Sequence, residues 1–510
     1  MLPENTLVDI LRWRASFSPD DISFRFFRDG AQETSRLSYR ELNDAASQIA
    51  AFLGSRGKIG QPVLLLYPEG IEFIVALLGC MLAGSLAVPI PAPDYNTLRR
   101  TRQRLVAISE HTGATLLLTS IVDNDEHLFA ELATSDSQVE WVRHGAVIAQ
   151  QWCSPTKVLQ KPIIGMDTIA FVQFTSGSTG RPRGISISHG NLVHQLSALA
   201  CSGQYEPDSL VVNWMPHFHD FGLIYGILFP LFVGIQCLTM PPVAFLRRPV
   251  RWLRLISDHK ATHSAAPNFA YEYCCRAISK KDLLGIDLTT WLAAGISAEP
   301  IDPLTMRRFS ALVKDTGFDL RNFCPSFGLA ESTLGVTQTR PLESPLLYEI
   351  DATSLLDGDV RRASSDGGLT RTLVGCGRPI GSDTKVLIVD PATRTMCAKD
   401  KVGEVWVASG SVALGYWRSP GDTAETFKAH LANGGGPFLR TGDLGFINDG
   451  ELFITGRLKD LVIVGGQNHY PQDIERTAES SHSTLRPQSC AVFSVMIGEH
   501  ESVVLLAEAR

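Results

Sequence analysis

From Ser38 to Phe174 the chain alternates apolar runs of strand character with segments of helical period, and that alternation leaves it few folds to choose from. Ser38-Tyr39-Arg40-Glu41 has the form of a capping box. The helix it opens would bury Leu42, Ala45, Ala46, Ile49 and Leu53 on one face. Pro62 to Tyr67, Leu86 to Pro89, Ala114 to Thr119, Thr168 to Phe174 and Ser209 to Trp214 read as strands, with a helix over Glu72 to Leu82. Apolar strands separated by helices predict parallel sheets covered on both faces. The texture changes near Arg340. Residues 357–372 read as a polar loop, and Lys385 to Val389, Gly403 to Ala408 and Gly450 to Thr455 as strands of a smaller β-rich unit. A hinge is expected over Gly456 to Asp460. After it come strands over Leu461 to Val464, Ala491 to Val495 and Val503 to Ala507, and a helix from Gln472.

The 510 residues suffice for about three domain-sized units with substantial cores. A net charge of −7 argues against a nucleic-acid partner, which needs a basic face. Ten cysteines are scattered without a C-x-x-C pair, as expected of reduced, buried thiols in a cytoplasmic protein. Adjacent Cys274 and Cys275 suit neither a redox nor a metal pair. The first 17 residues carry charges where a signal peptide needs an apolar core. Phe73 to Pro93 and Phe221 to Leu246 are long enough to span a bilayer. The first ends in AVPIPAPD, and Gly226, Pro230, Gly234, Pro241 and Pro242 cut the second. Lipid would leave that broken backbone unsatisfied, so both are expected as core pieces and no transmembrane segment is expected.

The run FTSGSTGRPRG, Phe174 to Gly184, follows a strand. Small residues let backbone N–H groups turn toward an anion, hydroxyls add donors, and arginines neutralise charge, which is a polyphosphate-handling design. It is not a Walker A loop, because G-K-[ST] is absent at the required spacing. Taken alone, the run also fits a flexible surface turn. Further along stand MPHFHDFGL (215–223), SFGLAES (326–332), GEVWVASGSVALGYW (403–417), RTGDLG (440–445) and GRLKDLVIVGGQNHYPQDIE (456–475). In that order, over most of residues 170–475, the series resembles the adenylate-forming superfamily of acyl-CoA synthetases, luciferases and peptide-synthetase adenylation domains. The likeness is greatest to the fatty acyl-AMP ligases. It rests on HFHDFGL, on PPVAFLRRPVRWLRLIS (241–257), APNFAYEYC (266–274) and NHYPQDIE (468–475), and on the long segment between Glu331 and Gly375.

The resemblance implies a large N-terminal domain over 1–456, with two parallel-sheet α/β subdomains, a β-rich barrel-like subdomain and an insertion at about 339–373. Residues 457–510 would form the hinge and part of a small α+β C-terminal domain. The implied reaction is attack of a fatty-acid carboxylate on the α-phosphorus of ATP with Mg²⁺, releasing pyrophosphate. The acyl group would then pass to the phosphopantetheine of an acyl carrier protein, or of a carrier domain in a polyketide or nonribosomal peptide synthase. In that family the insertion is linked to loss of CoA use.

By the same resemblance, Thr175, Ser176, Gly177, Ser178, Thr179 and Gly180 would hold the β- and γ-phosphates. Arg183 stands where the family usually has lysine, keeping charge with a different donor geometry. Glu331, with Thr175, would face Mg²⁺; a lone surface glutamate is the bland alternative. Phe327 and Gly328 would form one adenine wall and Ser297, Ala298 and Glu299 the other, with Ser297 where glycine is common. Asp443 would accept the ribose hydroxyls and Arg457 reach the ribose or α-phosphate. Lys459 would be the pivot. His219 matches a histidine at the mouth of the acyl pocket, where it would orient the carboxylate; a core histidine is the alternative, and a metal site at HFH lacks a third ligand. Phe221 to Leu246 and Pro267 to Cys274 would line an acyl tunnel, or simply pack the core. The family's late C-terminal lysine has no counterpart before Arg510, Lys459 being the last lysine, so adenylation by this chain is expected to be weakened. The rival readings are an acyl-CoA synthetase and an acyl- or adenylate-binding pseudoenzyme.

Overall fold

Two mixed sheets organise most of the residues that the computed structural model describes, namely 6–92, 98–121, 139–149, 162–175, 182–364, 368–464, 467–497 and 500–509. The larger has nine strands. Its six central strands are parallel, in the order Phe323–Gly328, Ala293–Ser297, His263–Pro267, Leu210–Asn213, Gln236–Thr239 and Ile22–Phe27. Antiparallel strands close both edges. The second sheet has seven strands. Five are parallel: Glu140–Arg143, Leu116–Thr119, Pro62–Leu66, Leu86–Ile90 and Ile169–Thr175. Arg183–Ser188 and Gly415–Tyr416 then continue it antiparallel.

Local signals set the helix starts. Thr6, Ser38 and Ser188 each cap a helix, with Asp9, Glu41 and Asn191 returning the bond. The helix Tyr39–Ser55 lays Leu42, Ala46, Ile49 and Leu53 against Ile71–Ala83, where Gly79 lets the two approach. Ile71–Ala83 is buried all round except at Glu72, as a helix enclosed by a core must be. Phe73 to Pro93 thus resolves into this helix and the strand Leu86–Ile90. Among the described residues no helix is long and apolar enough to cross a membrane.

The second apolar stretch contains a π-helix, Phe221–Leu228, followed by Phe229–Val233, Gln236–Thr239 and Pro242–Arg247. Wide π turns are uncommon and concentrate at functional sites. Here two glycines permit one: a Cβ on Gly222 would overlap the Pro216 carbonyl, and one on Gly226 the Asn213 amide.

The β-rich unit is an antiparallel sheet in the order Lys385–Val389, Gly403–Ala408, Leu439–Asn448 and Glu451–Arg457. Within the segment after Arg340, the hairpin Leu347–Asp351 and Thr370–Val374 packs Ile350 and Leu373 with Phe446, Phe453 and Tyr470. Arg371 ties it to the C-terminal residues. Its guanidinium pairs with Asp473 at 3.0 Å, donates to the Thr455 carbonyl at 3.1 Å and lies over the Tyr470 ring. After Asp460 come the helix Pro471–Ser481 and the hairpin Leu485–Ile497 with His500–Ala509.

Gly226→Ala must push the π-helix off Asn213. A loss of about 1–3 kcal/mol in unfolding free energy is expected, as for other overpacked cores, measured by urea denaturation; an unchanged midpoint would refute this account of the helix.

Candidate active site

Parallel α/β sheets present their ligand sites beyond the carboxyl ends of the strands. Here Thr175, Ser297 and Gly328 end their strands at the wall of one cavity of about 700 Å³. Arg183, His219, Ala298, Phe327, Glu331, Asp443, Arg457 and Lys459 line the same cavity. Ser176, Gly177, Ser178, Thr179 and Gly180 lie outside the described residues. The strands that flank them form a hairpin in which Thr175 pairs directly with Arg183.

The charged end is built around Glu331. A short 3₁₀ turn, Ala330–Ser332, carries it and closes on Thr333 at φ 66°. Such a backbone is strained for a β-branched residue, and the Thr333 hydroxyl donates to the Ser411 carbonyl at 2.6 Å. Glu331 Oε1 accepts from the Tyr416 hydroxyl at 2.9 Å. Tyr416 arrives through the strand Gly415–Tyr416, which pairs with Ile185 and Ser186 beside Arg183. The Arg183 guanidinium lies 5.1 Å over the Tyr416 ring and 3.8 Å from Asp422. Burial raises the Glu331 carboxyl above its ordinary value, the Tyr416 hydrogen bond opposing this.

Close enough to sense the Glu331 charge, Asp443 Oδ1 accepts from Arg457 Nε at 3.1 Å. Burial nevertheless pushes Asp443 up to about 6, against the pull of Arg457. Ser297 donates to the Ser326 carbonyl at 2.8 Å, and Ala298 sits at φ 69°, a second strained position on the wall. Glu299 turns away and accepts from the Phe269 amide; it does not line the cavity. Burial raises its carboxyl.

His219 stands at the mouth, half exposed, with Nδ1 2.6 Å from Asp220 Oδ1. Burial works against its charge, but the neighbouring Asp220 carboxylate outweighs this and raises its pKa. Neighbouring contacts fix the HFHD turn. Buried His217 sits 2.6 Å from Glu69 and packs on Phe73, while Gln173 donates to the Phe218 carbonyl at 3.2 Å.

The apolar end differs from the expectation. Phe221 and Tyr225 of the second apolar stretch reach the cavity, but none of Pro267 to Cys274 does. Ala270, Tyr271 and Cys274 are instead enclosed in the core. The wall is made by Leu199, Tyr205, Ala265, Ala293, Gly295 and Cys324. Ala265 and Gly295 are register partners on adjacent strands, so small residues hollow the sheet locally. Tyr205 is held in place by stacking on His263 at 4.0 Å. The paired AAP and AAG runs in the sequence were the available signal for this wall. Tyr416, Asp422 and Asp220 were also without a role at the sequence level, although GYW and HFHD contain two of them.

A parallel-sheet body with one cavity lined by both charged and apolar residues is the architecture of an adenylate-forming enzyme. Residues 11–417 match the family model described as AMP-binding enzyme. The chain is 41% identical over 514 residues to the medium-chain-fatty-acid–[acyl-carrier-protein] ligase JamA of Moorena producens, covering 99% of this chain and 86% of that protein. It is 35% identical over 492 residues to the long-chain-fatty-acid–AMP ligase FadD26 of Mycobacterium marinum, covering 93% and 82%. A solved fatty acyl-adenylate ligase from Legionella pneumophila, in complex with acyl adenylate and pyrophosphate, superposes with a TM-score of 0.84 at 36% identity, covering 99% and 86%. The chain belongs to the AMP-binding enzymes, with its similarity running to the fatty acyl-AMP ligases among them, as the motifs imply.

The raised Asp443 carboxyl has a consequence for stability. Its protonated form is favoured in the fold, so its contribution is complete below about pH 4 and lost as pH rises through about 6. Holding the carboxyl near 6 rather than near its ordinary value corresponds to ~3 kcal/mol. Asp443→Asn is expected to remove that slope from urea unfolding measured between pH 4 and 7; an identical slope would contradict the assignment.

Proposed function

We propose that the chain activates a fatty acid with ATP, forming acyl-adenylate and pyrophosphate, and passes the acyl group to the phosphopantetheine thiol of a carrier protein. The observation that carries this is the single cavity in which Glu331, Arg183, Asp443, Arg457 and Lys459 gather at one end and Ala265, Ala293 and Gly295 line the other. An acyl chain gains ~0.8 kcal/mol per buried CH₂ along the apolar end, which delivers its carboxylate to the charged end. His219, with its charge favoured by Asp220, screens that carboxylate as it meets the phosphate; an ionised acid needs no base. Arg183 and the hairpin loop hold the phosphate tail, while Asp443 takes the ribose hydroxyls. Ser297 and Ala298 face Phe327 and Gly328 across the adenine. Arg457 turns from Asp443 toward the α-phosphate, neutralising the charge that builds up there.

Glu331 offers a hard carboxylate whose Oε1 is already oriented by Tyr416. That fits Mg²⁺, which takes one or two protein carboxylates and completes its shell with phosphates and water. Thr175 would stand beside it. Held by Glu331 and Thr175, such an ion would supply positive charge that offsets the charge of the phosphates. In this reading residues 1–456 are the catalytic body with an insertion at about 339–373, and 457–510 move about Lys459.

Glu331→Gln is expected to lower adenylation about 10²–10³-fold, measured by hydroxamate trapping with saturating acid. Unchanged turnover would end this reading of the charged end. Ala293→Leu fills the apolar end, and preference in the same assay is expected to move to shorter acids. An unaltered chain-length profile would place the acyl group elsewhere.

A further inference from the structure

We propose that a basic face beside the cavity rim, built on Pro242–Arg247, Val250–His259, Asn268–Ala277 and Pro303–Leu312, is the docking surface for an acidic carrier protein. The inference rests on the ligase reading above and assigns it a surface.

Charge marks this face. Residues 242–284 hold eight Lys and Arg against three Asp and Glu, in a chain whose net charge is −7. The imbalance is larger in space than in sequence. Glu272 is buried and already faces Arg276 and Arg308, and Asp282 is engaged by Ser279. Arg247, Arg248, Lys280, Lys281 and Arg307 are exposed, and among the described residues none has a carboxylate within ion-pair distance. The elements that bear them touch. Tyr273 donates to the Leu246 carbonyl at 2.7 Å, and Arg254 donates to the Asp282 carbonyl at 3.0 Å. Exposed Leu246, Leu284 and Leu304 stand among the bases. Unpaired cations around scattered apolar side chains suit an acidic protein surface with a few apolar contacts, because opposite charge steers encounter and fixes register.

Position argues for the carrier. The helix Asn268–Ala277 starts where Phe269 donates to Glu299, and Asn268 accepts from the Asp302 amide that caps the next helix. Glu299 follows Ser297 and Ala298 of the cavity wall, so both helices begin at the rim. The ten residues of Asn268–Ala277 span about 15 Å, and Lys280 and Lys281 lie just past its end. A carrier bears its thiol on a long flexible arm. It must therefore dock aside from the cavity but within the arm's reach, where this face lies.

The test uses the full chain carrying Arg247→Glu with Arg248→Glu, and separately Lys280→Glu with Lys281→Glu. Acyl-hydroxamate formation without carrier, KM and kcat for transfer to a holo acyl carrier protein, and binding to phosphatidylglycerol vesicles are measured at two salt concentrations. The expected result is unaltered hydroxamate formation, a KM for carrier raised about tenfold or more, kcat at saturation retained, and a KM defect that shrinks with salt. Arg247→Lys with Arg248→Lys should preserve the low KM. An unchanged KM in both variants overturns the proposal, as does loss of vesicle binding alone, which would make the face a membrane contact. Hydroxamate formation without transfer to carrier by the unaltered chain overturns it too and leaves adenylation standing; absence of hydroxamate instead defeats the ligase reading itself.

Discussion

The strand Gly415–Tyr416 is only two residues long, yet the charged end of the cavity depends on its pairing with Ile185 and Ser186. The backbone bonds from Leu414 to Ser186 and from Trp417 to Gly184 hold it on the sheet edge. Main-chain pairing of this kind fixes position more firmly than a single side-chain contact, because it satisfies groups that would otherwise be left without partners. Tyr416 can then touch two residues far apart in sequence, Glu331 through its hydroxyl and Arg183 through its ring. The Ala413 amide adds a bond to the Glu331 carbonyl, so backbone and side chain of the glutamate are tied to the same segment. The strain at Thr333 is tolerated because its neighbours are fixed from both sides.

The apolar end rests on a different device. Parallel strands buried on both faces are normally filled by branched residues, and here Ala265, Ala293 and Gly295 interrupt that filling at neighbouring registers. The space survives because its surroundings are rigid: Tyr205 is braced by His263 and the π-helix is pinned at Gly222 and Gly226. Together the two devices set small apolar residues and a cluster of charged groups on the wall of one cavity. Burial also explains why the carboxyls of Glu331 and Asp443 are raised, although Arg457 and the Tyr416 hydroxyl favour their ionised forms.

Much of the fold was legible in the sequence. The helix begun at Ser38 appears with its capping box, and Lys385–Val389 and Gly403–Ala408 fall at the expected residues. These signals are local: a cap, a period of two, an unbroken apolar run. The π-helix was not legible, because its width comes from glycine contacts with Pro216 and Asn213 rather than from its own periodicity. Arg183, His219, Phe327, Glu331, Asp443 and Arg457 could be expected near one another because motif chemistry and order survive in one dimension, and they line one cavity. The assignment of Pro267 to Cys274 to the tunnel failed because an apolar residue beside a functional motif serves the core as readily as a wall.

Sequence alone therefore determined the alternating α/β architecture, the family to which the chain belongs and the set of residues able to bear charge. These follow from covalent order, side-chain chemistry and local periodicity. Only the tertiary structure decided that Tyr416 joins Glu331 to Arg183, that Glu299 turns to the Phe269 amide, and that alanine and glycine form the apolar wall. Each of those depends on strand register across long sequence separations, and register is fixed by pairing and burial rather than by any residue's own preference.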